Sequence, residues 1–371
     1  MKRWLATLIF LAWATSAGGS ASVFRPEVVR VAVCKGAESV TIDGKGVLLT
    51  DGNGDPLRLA LPLQLRRTKT GLSANGMAVR TVVASAPATV YINNKGYRGV
   101  VEVSVADKGI LVVNELPLED YLVGLINCEI SSQWPMEAIK AQAVIARSYA
   151  KFQREARKNA PYHLESSVID QVYDGCDIED SRAARGVKET AGEVLTYDGA
   201  VIQAFYHSNC GGHTEAAENV WGAKVPYLQG VDCRYCQNAP SGKWEQNVSF
   251  ARMESLLKNA GYQAGGLRDI RTGVRNVSGR LTDVTLMTSR GRLTISAANF
   301  RKALGYSVIK STNFEVRTTA TEASFSGVGY GHGVGLCQWG AKQRAADGFD
   351  YREILAYYYP GTKLEKRQQE M

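Results

Sequence analysis

The alternation of hydrophobic and polar residues marks the first part of the chain as β-rich. Between about residues 25 and 113, short runs alternate with period two, as in Val28-Val-Arg-Val-Ala-Val33 and from Ala78 to Val83. Such alternation is typical of half-buried strands. Asp51-Gly-Asn-Gly-Asp55 and Asn93-Asn-Lys-Gly96 carry turn residues, so we predict hairpin turns there. We therefore assign residues 22–113 to a β-rich N-terminal region.

Helical periodicity begins after residue 113. Pro117 suits the first turn of a helix, and four apolar residues then follow the i, i+3, i+4, i+7 pattern: Leu118, Tyr121, Leu122 and Leu125. The segment from Asn127 to Ser132 interrupts this pattern. Pro135 starts a second predicted helix, which runs to about Lys158 and carries an alanine-rich stripe that implies close packing. Two helices separated by a short break are therefore expected.

A second α/β pattern over about residues 245–316 predicts a small inserted subdomain. Its strands are expected at residues 282–287 and 291–296, and its helices near residues 253–260 and 298–304. A glycine run and a helix from Gln338 to about Ala346 follow it. The predicted fold class is α+β: a β-rich N-terminal part, then a mixed α/β core over residues 114–365 with the inserted subdomain, and a tail at residues 366–371.

The first residues resemble a secretory signal. Lys2 and Arg3 precede an apolar run from Leu5 to Ala14, and small residues follow it, so residues 1–21 are predicted to be a signal peptide. The run is too short for a comfortable membrane span, and no later segment is apolar for long enough. The alternative is an uncleaved N-terminal anchor. The sequence thus predicts an exported protein, periplasmic or associated with the cell wall, without a stable membrane span.

Composition is that of an ordinary globular protein. Of 371 residues, 45% are hydrophobic and 22% are charged, which is enough to bury a core. The formal net charge of +8 would draw an exported protein towards an anionic wall or membrane surface. No basic run interleaved with aromatic residues is present, so a nucleic-acid partner is not expected.

Histidine and cysteine spacing predicts a metal site. His207, Cys210 and His213 lie three residues apart, and the pair Cys233-x-x-Cys236 follows. Four of these five side chains could bind zinc tetrahedrally, and a site closed by four protein ligands would be structural. The alternative in an oxidising compartment is a disulfide that joins Cys233 to Cys236, or either of them to Cys210. The seven cysteines leave at least one thiol free, bound to metal or intermolecular.

Several motifs together resemble the SpoIID/LytB family, in that family's order. They begin with Val113-Asn-Glu-Leu-Pro-Leu-Glu-Asp-Tyr-Leu, Glu129, Trp134-Pro135 and Glu137-Ala-Ile-Lys-Ala-Gln-Ala-Val-Ile-Ala-Arg-Ser-Tyr149. They continue with Gln171-Val-Tyr-Asp-Gly175, Phe205-Tyr-His-Ser-Asn-Cys-Gly-Gly-His-Thr-Glu215 and Gly331-His-Gly-Val-Gly-Leu-Cys-Gln-Trp-Gly340. The family contains lytic transglycosylases, which cut peptidoglycan glycan strands, and relatives described as amidase enhancers.

The resemblance implies that Glu129 is the acid/base of glycan cleavage. Such an acid needs a raised pKa, which burial beside Ile126, Ile130 and Trp134 would supply, whereas a nearby helix N-terminus would lower it. The alternative is that Glu129 caps the second helix. His332, among glycines, is expected to orient Glu129 or to touch the sugar, and the alternative is a structural histidine within a tight loop.

Six further residues are candidates for substrate binding. Lys140 and Arg147, seven apart, share one helix face, and the resemblance places them at positions that the family uses. Gln171 and Tyr173 suit hydroxyl bonding and sugar stacking, while Gln338 and Trp339 follow at a helix start. The alternatives are solvated charges, a half-buried turn tyrosine and a core tryptophan. A disulfide between Cys128 and Cys337 is a further hypothesis, because both lie beside the expected groove.

The sequence as a whole predicts a lytic transglycosylase acting on peptidoglycan outside the cytoplasmic membrane. The resemblance implies cleavage of the MurNAc–GlcNAc bond with a 1,6-anhydro product, and a preference for strands that lack stem peptides. A non-catalytic wall-binding protein that stimulates an N-acetylmuramoyl-L-alanine amidase is the alternative. A zinc-dependent amidase, whose metal would need an open coordination position, is a third class.

Overall fold

The computed structural model describes residues 27–240 and 242–367, and its fold is α+β. The predicted signal peptide lies outside the described residues. Within these ranges, no helix combines the length and the apolar character needed to cross a membrane.

The N-terminal part is rich in β-strands, as its alternating pattern predicts. Most of its strands form two six-stranded sheets, with the orders β12-β1-β11-β10-β7-β3 and β6-β5-β4-β2-β8-β9. Asn93 and Asn94 make the turn between β8 and β9 with positive φ at both residues, which confirms the predicted hairpin. The strands are β1 (Val28–Ala37), β2 (Ser39–Asp43), β3 (Leu48–Asp51), β4 (Leu63–Arg67), β5 (Leu72–Ala74), β6 (Met77–Val79), β7 (Thr81–Ser85), β8 (Val90–Ile92), β9 (Lys95–Tyr97), β10 (Val100–Ala106), β11 (Gly109–Pro117) and, later in the chain, β12 (Leu164–Glu165).

Two helices connect these sheets to the rest of the molecule. Helix α1 (Leu118–Glu129) follows β11 directly and has Pro117 as its N-cap, while α2 (Met136–Ala156) has Pro135 as its N-cap. One face of α2 joins the hydrophobic core of the N-terminal sheets, and its opposite face joins a second core formed by later elements. Helix α2 therefore packs closely on both sides, and the alanine stripe predicts such close packing.

Helix α1 is longer than its periodicity predicts. The interruption expected from Asn127 begins only at Ile130, so Glu129 is the last residue of α1. The polar residues from Asn127 to Glu129 interrupt the apolar pattern but remain helical. The last turn of a helix can carry polar side chains, because it faces solvent or polar neighbours. Glu129 thus lies at the C-terminus of α1 and not, as expected, in a break just before the second helix.

The elements after α2 build the second core. A 3-10 turn at Arg234–Cys236 follows them and carries the Cys-x-x-Cys pair into that core. The elements are α3 (Ser181–Glu189), β13 (Glu193–Tyr197), β14 (Ala200–Val201), β15 (Tyr206–His207) and α4 (Ala217–Trp221).

The inserted subdomain spans Lys243 to Val328 and has a hydrophobic core of its own. It contains two three-stranded antiparallel sheets, β16-β21-β20 and β17-β18-β19, against which its helices pack. It extends beyond the predicted end at residue 316, because β21 returns to pair with β16. Its elements are β16 (Lys243–Ser249), α5 (Phe250–Asn259), β17 (Leu267–Thr272), β18 (Asp283–Thr288), β19 (Gly291–Ser296), α6 (Ala297–Leu304), β20 (Phe314–Thr318) and β21 (Glu322–Val328).

The C-terminal segment returns to the second core. Its elements are β22 (Leu336–Cys337), α7 (Gln338–Ala346), α8 (Tyr351–Tyr358) and β23 (Lys363–Lys366). Strand β22 pairs in parallel with β15, so Tyr206 lies opposite Leu336 and His207 lies opposite Cys337. This short pairing brings two distant sequence motifs together beside α1 and α2.

Candidate active site and metal centre

Glu129 is held at the end of α1 by contacts from three later segments. The backbone N–H of Val172 donates a hydrogen bond to its Oε1 at 2.9 Å. The side chains of Tyr206 and Gln338 also lie beside its carboxyl group, and as hydrogen-bond donors they lower its pKa. The alternative that Glu129 caps the second helix is wrong, because no side chain makes a capping hydrogen bond at the start of α2.

The surroundings of Glu129 favour its protonated form. Burial raises the pKa of this carboxyl group, and the hydrogen bonds from Val172, Tyr206 and Gln338 oppose that shift without cancelling it. A helix C-terminus carries partial negative charge, so the end of α1 further disfavours a carboxylate there. Glu129 nevertheless retains some solvent exposure. The residue is therefore partly exposed, while the charged form of its carboxyl group is poorly solvated.

A chain of hydrogen bonds orients Tyr206 towards Glu129. Tyr121 donates from its hydroxyl to Gln171 Oε1 at 3.1 Å, and Gln171 Nε2 donates to the Tyr206 hydroxyl at 3.2 Å. Because the Tyr206 oxygen accepts from Gln171, its own hydrogen is available to donate to Glu129. Gln338 is fixed in turn by a bond from its Nε2 to Gln142 Oε1 at 3.3 Å.

Tyr206 is a site residue that the sequence interpretation missed. It lies in a strand of two residues, too short for any periodicity to reveal which way its side chain points. The available signal was its place within the run from Phe205 to Glu215 that resembles the family. The structure brings Tyr206 and the predicted Gln338 to the same carboxyl group.

An aromatic pair adjoins Gln338, one of the neighbours of Glu129. The ring centroids of Trp134 and Trp339 are 5.0 Å apart, and both rings are half-buried. The Nζ of Lys342 lies 4.5 Å from the centroid of Trp339 and 5.2 Å from that of Trp134. Trp339 directly follows Gln338, so this partly exposed aromatic surface adjoins a residue that contacts Glu129.

Lys140 and Arg147 are engaged in ion pairs with protein carboxylates. Arg147 is only 1% exposed and makes a two-pronged contact with Glu119, with both N–O distances 2.8 Å. Lys140 Nζ lies 2.9 Å from Glu137 and 2.8 Å from Glu189. The expectation that Arg147 lines a substrate groove is therefore wrong. Helical periodicity correctly places Lys140 and Arg147 on one face of α2, but at Arg147 this face packs against α1, α3 and β13.

Gln171 and Tyr173 are also interior residues. Tyr173 is 3% exposed, its hydroxyl donates to Asn114 Oδ1 at 2.9 Å, and its ring packs 5.0 Å from that of Tyr121. Gln171 is buried within the hydrogen-bond chain behind Tyr206. The prediction that Tyr173 stacks on a sugar is thus wrong, because its ring is buried and packs within the core.

His332 lies among aromatic residues and bonds within its own loop. Its Nδ1 accepts from the backbone N–H of Val334 at 3.0 Å. Its ring centroid is 5.2 Å from Trp221, 5.6 Å from His207 and 6.0 Å from Phe205. Burial lowers its pKa well below the ordinary value, so the ring is neutral. Among the described residues, no hydrogen bond joins His332 to Glu129.

Four buried cysteines converge to form a candidate metal centre. The sulfur atoms of Cys210, Cys233, Cys236 and Cys337 all lie within 4.8 Å of one another. All seven cysteines of the chain are free thiols in the structure. The hypothesis of a Cys128–Cys337 disulfide is wrong, because Cys337 joins this cluster while the Cys128 thiol donates to the Gly124 carbonyl at 3.7 Å.

The two histidines of the predicted ligand set are not in the cluster. His207 Nδ1 contacts the Val334 carbonyl at 3.2 Å, and His213 Nδ1 contacts the Thr214 carbonyl at 2.6 Å. Cys210, Cys233 and Cys236 are placed as expected, and Cys337 takes the position that the histidines were expected to fill. Local spacing favoured the histidines, whereas the β15–β22 pairing brings Cys337 from a distant part of the chain.

The candidate metal centre adjoins the site around Glu129. Cys337 is followed directly by Gln338, whose side chain lies beside the carboxyl group of Glu129. The Cys337 sulfur also accepts from the backbone N–H of Gly340 at 3.4 Å and so caps the start of α7. The geometry of the cysteines and the position of Gln338 are thus set by the same short segment.

Comparisons with known proteins agree with this architecture. A family model described as Stage II sporulation protein matches residues 106–197, which include Glu129. A second model, described as a domain of unknown function (DUF8618), matches residues 234–335, which include the whole inserted subdomain.

Three relatives show how far the similarity extends. An uncharacterised protein of Brachyspira hyodysenteriae is 37% identical over 257 residues, which is 68% of this chain and 68% of that protein. The amidase enhancer of Bacillus subtilis is 30% identical over 288 residues, 66% of this chain and 40% of that protein. Stage II sporulation protein D of Bacillus subtilis is 28% identical over 272 residues, 68% of this chain and 76% of that protein. The chain belongs to the SpoIID/LytB family.

Proposed function

We propose that this protein is a peptidoglycan lytic transglycosylase with Glu129 as its acid/base. The observation that carries the proposal is a residue with some solvent exposure whose carboxyl group has a pKa raised by burial and only neutral hydrogen-bonding neighbours. Such a group can donate a proton to a leaving oxygen near neutral pH.

The reaction needs one carboxyl group in two successive roles. Protonated Glu129 donates its proton to the glycosidic oxygen between MurNAc and GlcNAc as that bond breaks. The resulting carboxylate then takes the proton of the sugar's C6 hydroxyl, whose oxygen attacks the anomeric carbon and closes a 1,6-anhydro ring. Tyr206 and Gln338 stabilise the transient carboxylate by hydrogen bonds.

The environment of Glu129 favours this route over hydrolysis. Hydrolysis by paired carboxyl groups requires a second carboxylate about 5–9 Å from the first. Burial raises the pKa of Glu129, and the described neighbours that lower it, Val172, Tyr206 and Gln338, are all neutral. A single acid that acts twice fits these surroundings better than a pair of acids.

Trp134 and Trp339 supply a surface suited to sugar rings. Partly exposed aromatic rings pack against the apolar faces of sugars, and Lys342 adds hydrogen-bond donors beside them. We therefore assign substrate binding to this pair, together with Gln338, and not to Arg147 or Tyr173. The substrate places the protein outside the cytoplasmic membrane.

We infer that the four cysteines bind one zinc ion. Tetrahedral zinc with Zn–S distances of about 2.3 Å requires sulfur atoms about 3.8 Å apart, which four thiols within 4.8 Å of one another can reach. When bound, the metal would supply folding energy. Four protein ligands leave no position for a catalytic water, which argues against a zinc-dependent amidase.

A role as an amidase enhancer is the second candidate. It is favoured by the similarity to the Bacillus subtilis amidase enhancer over 66% of this chain. An enhancer needs a wall-binding surface, but it does not need an acid with a raised pKa.

The test is to incubate the purified protein alone with intact and with stem-free glycan strands, and to identify the products by mass spectrometry. Anhydro-muramyl ends support the transglycosylase, reducing ends indicate a hydrolase, and released stem peptides indicate an amidase. Unchanged strands that are digested faster once an amidase is added would establish the enhancer.

A further inference from the structure

The inserted subdomain reaches back into the core through one buried arginine. Arg280 lies between β17 and β18, beside a turn stabilised by the Arg275–Leu281 bridge, and is only 1% exposed. It is one of the largest fully buried side chains among the described residues. A buried guanidinium is costly unless its charge is compensated, so its surroundings require an explanation.

Arg280 joins the Cys210 segment to the glycine loop. Its Nη2 donates to the Cys210 carbonyl at 3.0 Å, and its Nη1 makes a longer bond to the Gly331 carbonyl at 3.4 Å. A Cβ atom at Gly333 would lie 2.7 Å from the guanidinium, so the absence of a side chain there makes room for Arg280. The arginine therefore holds together two segments that each lead to a cysteine of the cluster.

No acidic side chain forms an ion pair with Arg280 among the described residues. The nearby Glu215 already accepts from Asn276 Nδ2 and from Ser278 Oγ, each at 2.7 Å, and these bonds anchor the same turn. Arg280 Nε has no hydrogen-bond partner in the described structure. Among the described residues, the hydrogen bonds of the Arg280 guanidinium therefore reach only main-chain carbonyl groups, one of which belongs to Cys210.

The charge of the cysteine cluster complements that of Arg280. Four thiolates around a divalent cation leave a net double negative charge in a buried site, which is costly without a neighbouring cation. Hydrogen bonds and charges around metal ligands tune the affinity of a site by typically about 10–100-fold.

We propose that the inserted subdomain supplies Arg280 as the buried counter-charge of the four-cysteine metal site and thereby fixes the glycine loop that leads to Cys337. The proposal rests on the zinc occupancy inferred above. The proposal gives the domain of unknown function a role, because this domain would complete the metal centre of the catalytic core. Arg280 lies in the segment matched by that domain and outside the segment matched by the sporulation-protein model.

The test compares zinc affinity in Arg280→Met, Arg280→Lys and the control Arg275→Met. Arg275 belongs to the same turn and bonds the Gly279 and Phe314 carbonyls, but none of its hydrogen bonds reaches the cysteine segments. Full-length protein purified with zinc is titrated with a chromophoric chelator, and thermal unfolding is recorded for each variant. We expect Arg280→Met to lose tenfold or more in zinc affinity, and we expect the Arg275→Met and Arg280→Lys variants to stay within about threefold of wild type.

The possible outcomes separate the two proposals. Wild-type protein that holds no zinc overturns the metal assignment itself, whereas zinc-loaded wild type with unchanged affinity in Arg280→Met overturns only the role of Arg280. An equal loss in Arg275→Met would also overturn it, because general damage to the turn would then suffice. If Arg280→Met does not fold, Arg280→Lys carries the test: tenfold weaker binding in a variant that keeps the charge contradicts the counter-charge role.

Discussion

The Tyr206 hydroxyl accepts a hydrogen bond from Gln171 and lies beside the carboxyl group of Glu129, on which it acts as a donor. This arrangement fixes the direction in which the Tyr206 hydrogen points. The donor lowers the pKa of Glu129 but does not overcome the effect of burial. The balance between one desolvated acid and its neutral donors determines how the protein should respond to pH.

Replacing the proposed acid should abolish cleavage. Glu129→Gln keeps the shape of the side chain but removes its proton, and the loss of a positioned acid/base typically costs about 10²–10⁴-fold in rate. Product release from purified glycan measures the effect, and unchanged binding to cell walls serves as the control. A variant that retains more than about a tenth of wild-type activity would show that Glu129 is not the acid.

The pH profile should move when a donor to Glu129 is removed. The first step needs the protonated acid, so activity should fall as pH rises through the raised pKa of Glu129. Tyr206→Phe removes a hydrogen bond that lowers this pKa, so the fall should shift to higher pH. Tyr173→Phe, which loses only a bond to Asn114, is the matched control. An unshifted profile in Tyr206→Phe would contradict the assigned hydrogen bond.

The raised pKa of Glu129 should also make the stability of the protein depend on pH. A carboxyl group with a raised folded-state pKa contributes stability below its unfolded pKa of about 4.3 and loses it as pH rises through the folded value. Glu129→Gln cannot lose a proton, so it should gain in melting temperature over wild type at pH 7 and show little gain below about pH 4. Thermal unfolding at both pH values measures this, and an equal difference at both would refute the linkage.

Arg147 should matter for stability and not for substrate affinity. Arg147→Ala removes a buried guanidinium that makes a two-pronged contact with Glu119. Removing one partner of a buried ion pair typically costs about 3–5 kcal/mol of stability. Arg154, on the same helix, is 41% exposed and pairs with Glu27, so Arg154→Ala should cost less than about 1 kcal/mol. Denaturant unfolding compares the two. A raised KM in a stably folded Arg147→Ala variant would restore the groove hypothesis.

Zinc binding should depend on Cys337 and not on His213. Metal analysis of wild type should find about one zinc per chain. Cys337→Ser should lower zinc content and stability together, because a structural metal contributes directly to folding. His213→Ala should keep the zinc, since His213 lies outside the sulfur cluster. Loss of zinc in His213→Ala with retention in Cys337→Ser would reverse the ligand assignment.

Much of the fold could be predicted from local pattern. Helix α7 and strand β19 occupy their predicted spans, and the Asn93–Asn94 turn has the expected backbone. These elements depend on neighbours within a few residues, which periodicity and turn chemistry capture. The end of α1 was predicted too early, and β21 was missed, because helix ends and strand pairing depend on partners elsewhere in the chain.

The sequence by itself determined the α+β class, the family motifs and the identity of Glu129 as the residue to examine. Only the tertiary structure decided that Arg147 faces protein instead of solvent, that Tyr206 reaches Glu129, and that Cys337 replaces the histidines in the cysteine cluster. The physical reason is that a helix face or a residue spacing specifies direction relative to its own element. Burial, charge compensation and metal geometry instead depend on which distant segments pack against that element.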